Sequence, residues 1–188
     1  LDGQNIPQVQ LDASPYGQPL YEKLGFSPEE RVLVFQRMAG TPLAAFPRQI
    51  EILQPSDLAD LAERDTKIFG ADRRRVFATL LETYPGRAFK SLSAQGHLTG
   101  YLFTTERRIG PWVMLEPEGA EPLLQAALSL PFSDAISVVA PETSSLALEL
   151  LQKYGFEQGR ANRHMARGAA ISPGQREKVF AQASLSIG

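Results

Sequence analysis

Leu20-Tyr21-Glu22-Lys23-Leu24-Gly25-Phe26 (LYEKLGF) and Leu150-Leu151-Gln152-Lys153-Tyr154-Gly155-Phe156 (LLQKYGF) are two versions of one phrase. Each sets apolar residues at helical spacing before a glycine, with an aromatic residue after it. A helix ends this way, because glycine takes the left-handed conformation at little cost and the chain then enters a strand. Gly25 and Gly155 stand 130 positions apart, the size of a small domain and far beyond a solenoid period. The phrase reads as one fold used twice. Only 24 residues precede Gly25 and the chain opens on Leu1 rather than Met. The expectation is therefore a fragment, the tail of one domain followed by a complete second one.

Composition narrows the chemistry. The 188 residues are 43% hydrophobic and 21% charged, enough apolar material for an ordinary globular core. No Cys is present, which excludes disulfides, thiolate ligands and a cysteine nucleophile. His97 and His164 are isolated in the sequence and predict no metal site; His97 follows the Gln95-Gly96 turn and is expected to be exposed. The formal charge is −2, and Arg73-Arg74-Arg75 and Arg107-Arg108 are the only basic runs. Both read as solvated faces or turns, so nucleic acid is not an expected partner. No apolar stretch is long enough to cross a bilayer, and a cytoplasmic location is the default.

Along the chain, Val9 to Asp12 alternates as a short strand, and Ser14-Pro15 reads as a cap and first helical residue. Arg31 to Phe35 (RVLVF) is a strand, and Ala39 to Pro47 lacks any period. The expected division is residues 1–38, a linker over 39–48, and a complete unit over 49–188. That unit opens with a strand at Gln49 to Leu53, then a helix capped by Ser56 and closed at Phe69-Gly70. A second helix carries Val76, Phe77, Leu80, Leu81 and Tyr84 on one face. Ala88–Ser93 and Leu98–Thr105 form a hairpin, and Ile109–Leu115 adds a third strand in which Pro111 requires irregular pairing. Strand and helix then alternate. Glu121–Leu130 is a helix, Ala135–Ala140 a strand covered on both faces, and Ser144 or Ser145 caps the next helix. Residues 171–174 turn, and Val179–Leu185 is a candidate last strand.

This order, β-α-α-β-β-β-α-β-α-β over residues 49–167, resembles the GNAT acyltransferase superfamily, an α/β class with a mixed sheet. The phrases Phe69-Gly70-Ala71-Asp72-Arg73, Gly100-Tyr101, Ile109-Gly110-Pro111-Trp112-Val113 and His164-Met165-Ala166-Arg167-Gly168 resemble the C-terminal domain of YitH-type tandem GNAT proteins. The opening LDASPYGQPLYEKLGF resembles the end of their first domain. The resemblance implies acetyl transfer from acetyl-CoA to a small-molecule amine. It also implies a pyrophosphate site on a Gly-rich helix start and a tyrosine acid for the leaving thiolate.

Against that pattern the two copies differ. The loop Glu116-Pro117-Glu118-Gly119-Ala120-Glu121-Pro122 has one glycine, two prolines and three carboxylates. Each carboxylate would oppose a pyrophosphate by roughly 0.5–1 kcal/mol, which leaves the N–H groups of Gly119 and Ala120 as the candidate cofactor contacts. Ser14, at the helix start of the first copy, is the corresponding candidate there. The acid position four residues before the helix-ending glycine holds Tyr21 in the first copy and Leu151 in the second. Tyr21 is therefore the candidate catalytic residue, with Tyr154 a possible substitute on its helix. Trp112, Tyr154 and Asp72 are the candidate pocket residues, although packing of the aromatics and helix capping by Asp72 explain them equally well. The second copy is expected to support the first, or to cover or bind its substrate, without catalysing; the alternative is a cofactor-free ligand-binding or dimerisation module. An uncovered strand at Val9–Asp12 or Arg31–Phe35 is expected to seek a homodimer partner or the missing half.

Overall fold

The computed structural model describes residues 6–40, 42, 45–169 and 174–185. The elements in chain order are β1 (Gln8–Ala13), α1 (Gln18–Lys23), β2 (Ser27–Arg37), β3 (Ile50–Ile52), α2 (Leu58–Phe69) and α3 (Arg74–Thr83). They continue with β4 (Ala88–Leu92), β5 (Leu98–Thr104), β6 (Arg108–Met114), α4 (Ala120–Leu128), β7 (Ile136–Pro141), α5 (Ser145–Lys153), β8 (Glu157–Gly168) and β9 (Val179–Ala181). The strands form one mixed sheet in the order β1-β8-β2-β7-β6-β5-β4-β3, with β9 paired to β6. The expected mixed α/β class is the one observed.

Alternation along β5 shows how the sheet is covered. Leu102 faces a core shared with Leu123, Leu124 and Leu128 of α4 and Leu150 and Leu151 of α5. Tyr101 and Phe103 face the other side, against Leu61 of α2 and Phe77 of α3. Each such fully buried side chain is worth about 1.5–3 kcal/mol. Gly70, with φ +86, ends α2 in the left-handed conformation its sequence predicts.

The two copies exchange their last strands. β8 lies between β1 and β2, and β2 lies between β7 and β8, with every contact antiparallel. Exchanging β1–α1–β2 with β7–α5–β8 leaves this pattern unchanged. The centre of the relation is the pair Val32·Asn162, whose members stand at the same 130-residue offset as the two glycines. Residues 27–37 are thus an interior strand of the sheet that the later elements build. β1 is a sheet edge, while the expected edge at Arg31–Phe35 is paired on both sides.

Local departures from expectation have identifiable causes. α1 begins at Gln18, because Ser14 closes a turn by accepting the Gly17 N–H at its side-chain oxygen and its carbonyl. Ser56 does not cap α2: a short 3₁₀ turn at Pro55–Asp57 precedes it, and Asp57 accepts the Gln54 N–H at 2.8 Å. Arg73 is no solvated residue. It is buried with Asp65, making two hydrogen bonds of 3.0 and 2.7 Å to that carboxylate. Residues 171–173 of the expected turn lie outside the described residues, and the last strand is confined to three residues.

Candidate functional site

β6 and β7 run parallel but pair only at Arg108↔Ser137 and Ile109↔Val138. Beyond these residues β6 pairs instead with β9, as Trp112↔Ala181 and Val113↔Val179. The tail that carries β9 also bonds to β7, through the Gln182 N–H to the Val139 carbonyl at 2.8 Å. It therefore lies between the two diverging strands and uses their free backbone groups. Phe180 packs edge-on against Trp112, with centroids 5.1 Å apart, and the buried Ser144 hydroxyl donates to the Val179 carbonyl at 2.6 Å. A Cβ at Gly110 would collide with the Gln182 carbonyl, so glycine is what permits this approach. The space left beside the tail is a cleft of about 250 Å³ lined by Leu115, Pro117, Thr143, Lys178 and Phe180, among others.

The start of α4, where the sequence places a pyrophosphate, offers little. Ala120 is buried, and the Cα of Gly119 is so close to Ser91 that a Cβ there would overlap its side chain. The adjoining cleft of about 350 Å³ is lined by Glu116 and Glu118 together with Ser91 and Thr99. A coenzyme A pyrophosphate would meet two carboxylates there. The residues present in this copy do not fit the cofactor.

The candidate pocket residues have other partners. Trp112 is fully buried beneath Phe180, with its Nε1 facing the Met114 sulfur at 3.2 Å, and walls no open pocket among the described residues. Asp72 accepts the Arg74 N–H at 2.8 Å from one residue before Arg73, which is the N-cap of α3. Tyr154 donates to Glu121 at 2.7 Å and accepts from Gln125 at 2.7 Å, tying α5 to α4. Partial burial and the Glu121 hydrogen bond raise the Tyr154 hydroxyl above the usual tyrosine value. Lys153 and then Tyr154 hold Glu121 below the usual carboxylate range. Leu151 is fully buried. Asp65 is fully buried and bonded to Arg73 and to the Tyr101 hydroxyl. Burial pushes Tyr101 well above the usual tyrosine value, and the charge of Asp65 adds to that. This trio is a satisfied ion pair inside the core.

The first copy presents different chemistry on the β1–β8–β2 region. Tyr21 is partly exposed and touches Phe26 edge-on at 5.7 Å. Asp12, His164 and Glu30 form one row across the three strands, as register partners. His164 Nδ1 lies 2.8 Å from Asp12 Oδ1, and Nε2 lies 3.7 Å from Glu29 Oε2. A bulge at Glu29 places two consecutive residues opposite His164; the Glu29 carboxylate faces the imidazole, and the Glu30 carboxylate accepts the Thr143 hydroxyl at 2.9 Å. The symmetry-related row in the second copy pairs Val139 with Val34, and its bulge contains Gly159 and Arg160. There Leu185 packs on the valines. Sequence reasoning left His164 isolated because Asp12 is 152 positions away; only the strand exchange joins them. Among the described residues, no group of three or more His, Cys, Asp or Glu could hold a metal ion, and no helix is long and apolar enough to cross a membrane.

Comparison with known proteins agrees with this architecture. The family described as acetyltransferase (GNAT) domain matches residues 61–181. A Pyrococcus horikoshii protein described as an acetyltransferase superposes with a TM-score of 0.79 at 24% identity, covering 99% of this chain and 62% of its own. A GCN5-related N-acetyltransferase from Sphaerobacter thermophilus gives 0.61 at 20% identity, with 88% and 62% covered. One from Anabaena variabilis gives 0.55 at 21%, with 88% and 47% covered. The chain thus spans under two thirds of the length of these structures, and at such identities they speak for the fold alone. No curated protein matches. With a family match over residues 61–181, well over half of its length, the chain belongs to the GNAT acetyltransferase family.

Proposed function

We propose that this protein serves acetyl transfer from acetyl-CoA to a small-molecule amine, and that its second GNAT copy does not itself catalyse. The observation that carries this reading is β9, which occupies the opening between β6 and β7. When bound, acetyl-CoA supplies the thioester that an amine attacks. In the second copy neither the opening nor the start of α4 is available to it. Catalysis then belongs with the first copy, where Tyr21 is the proposed acid and α1 begins beyond the Ser14 turn.

The same reading makes the chain part of a tandem arrangement. Ile6, Tyr16, Leu20 and Leu24 form exposed apolar surface on and beside α1, and β1 has a free edge. In the second copy the corresponding strand β7 has β6 as a parallel neighbour, and α5 has α4. A strand-helix unit of that kind is the proposed cover for the first copy, and the greater length of the structural relatives supports it. Self-association through the same face is the competing arrangement.

Calorimetric titration of acetyl-CoA into the 188-residue chain tests the assignment. No binding tighter than about 100 μM, roughly −5.5 kcal/mol, is expected. Stoichiometric binding above that strength would return the second copy to the list of active centres.

A further inference from the structure

The row Asp12–His164–Glu30 is buried and acidic, and it is already occupied. Arg176, in the short 3₁₀ turn Arg176–Lys178 that leads into β9, forms an ion pair with Glu30. Burial lowers its guanidinium below the usual arginine value, while the charges of Asp12 and Glu29 act in the opposite direction. All three carboxylates therefore act on one cation. Its Nη2 has no hydrogen-bond partner. Nor does His164 Nε2, although His164 is only 4% exposed and its ring is turned toward Glu29. Two residues along the same face, the buried Oδ1 of Asn162 is also without a partner.

We propose that Asp12, His164, Glu29 and Glu30 form a binding site for the cationic head, ammonium or guanidinium, of a small amine, with Arg176 as its resident occupant. Three facts carry the argument. The strand bulge at Glu29 places two glutamates opposite His164 where a regular strand would present one. Asp12 holds the imidazole at Nδ1, which leaves the buried Nε2 turned toward Glu29 without a hydrogen-bond partner. The symmetry-related place in the second copy has lost each of these groups, with Val139, Val34, Gly159 and Arg160 at the matching positions. A packing role alone would be served by that apolar version. A cationic ligand would balance the carboxylates, as Arg176 does in part.

The site combines strands from both copies, since Asp12 and Glu29 come from β1 and β2 and His164 from β8. Naming its ligand as the acetyl acceptor rests on the function proposed above; binding of the cation does not.

The two histidines of the chain make the test direct, because His97 is exposed and serves as an internal control. Imidazole resonances are followed by NMR at pH 7.5 while ethylguanidinium or putrescine is raised to about 10 mM. In Arg176→Ala both probes are expected to shift His164 in a saturable way and leave His97 unchanged. Adding Glu29→Gln and Glu30→Gln is expected to weaken the apparent affinity at least about tenfold. The absence of a saturable His164 shift, or one that survives both glutamine changes, overturns the proposal. Should Arg176→Ala lack a native amide spectrum, Arg176→Lys is titrated on the same criteria. Failure here alongside silent acetyl-CoA calorimetry would remove the cation site and leave the assignment of catalysis to the first copy standing.

Discussion

The strand-helix-strand units β1–α1–β2 and β7–α5–β8 share topology and a recurring phrase but have opposite burial. Leu150 on α5 is 6% exposed, and its counterpart Leu20 on α1 is 59% exposed. Leu151 is fully buried where Tyr21 is partly open. Asp12 of the first unit faces His164 across β1 and β8, whereas the corresponding Val139 of the second unit faces Val34 across β7 and β2. One unit has spent its surface on packing, and the other has kept polar groups and an uncovered helix. The difference teaches that a shared phrase and a shared topology do not fix burial: the neighbours each unit packs against do.

The largest expected effect tests whether the second cleft has become core. Phe180→Ala removes a nearly buried ring from Trp112 and is expected to cost about 3–5 kcal/mol in urea unfolding. The variant should still bind no acetyl-CoA, because Glu116 and Glu118 remain at the start of α4. A loss below about 1 kcal/mol would mean that the tail only rests in the opening.

The matched leucines come next. Leu150→Ala is expected to cost about 2–5 kcal/mol, and Leu20→Ala less than about 0.5 kcal/mol. Equal losses would break the comparison outright, since they would mean that α1 is covered in solution. Repeating both measurements across a range of protein concentrations would then show whether a second copy provides the cover.

Much of the fold could be read before the structure, because helix stops, the β4–β5 hairpin and the α4 apolar face depend on residues close in sequence. Gly25, Gly70 and Gly155 each take the positive φ predicted for a helix end. What escaped depends on contacts between distant residues. The strand exchange leaves no local mark, so Arg31–Phe35 looked as much an edge as Val9–Asp12. Arg73 looked solvated because its partner Asp65 lies on the preceding helix, eight positions back. The candidate site was less legible than the fold. Leu151 and the acidic loop set the second copy apart in the sequence, but a three-residue strand at Val179–Ala181 carries too little pattern to reveal its place beside β6. The placement of both Glu29 and Glu30 opposite His164 in the strand register comes from a bulge, and no sequence period encodes it.

A smaller effect separates the two serines at the strand-to-helix turns. The Ser144 hydroxyl is buried and holds the Val179 carbonyl, so Ser144→Ala is expected to cost about 1 kcal/mol. Hydrogen exchange should quicken first at the Ala181 and Gln182 amides, which report on the tail. Ser14 is exposed and bonds only within its own turn, and Ser14→Ala should cost less than about 0.5 kcal/mol. Faster exchange throughout β6 and β7 in Ser144→Ala would assign the hydroxyl to the core at large.

The two tyrosines provide the finest discrimination. Tyr154→Phe loses bonds to Glu121 and Gln125 and is expected to cost up to about 1 kcal/mol at neutral pH. It should also change the alkaline limb of the stability profile. Partial burial and Glu121 raise the folded value of Tyr154 above its ordinary 10.0. Its contribution is therefore present below about pH 10 and lost as pH rises through the folded value. Phenylalanine at this position should flatten that step. Tyr21 makes its ring contact with Phe26, and the hydroxyl adds no hydrogen bond within the described residues. Tyr21→Phe should therefore leave stability within about 0.5 kcal/mol. If Tyr21 is the thiolate acid, the same change lowers turnover of the active protein by about 10²–10⁴. Unchanged turnover would remove Tyr21 from the chemistry while leaving the structural contrast between the copies intact.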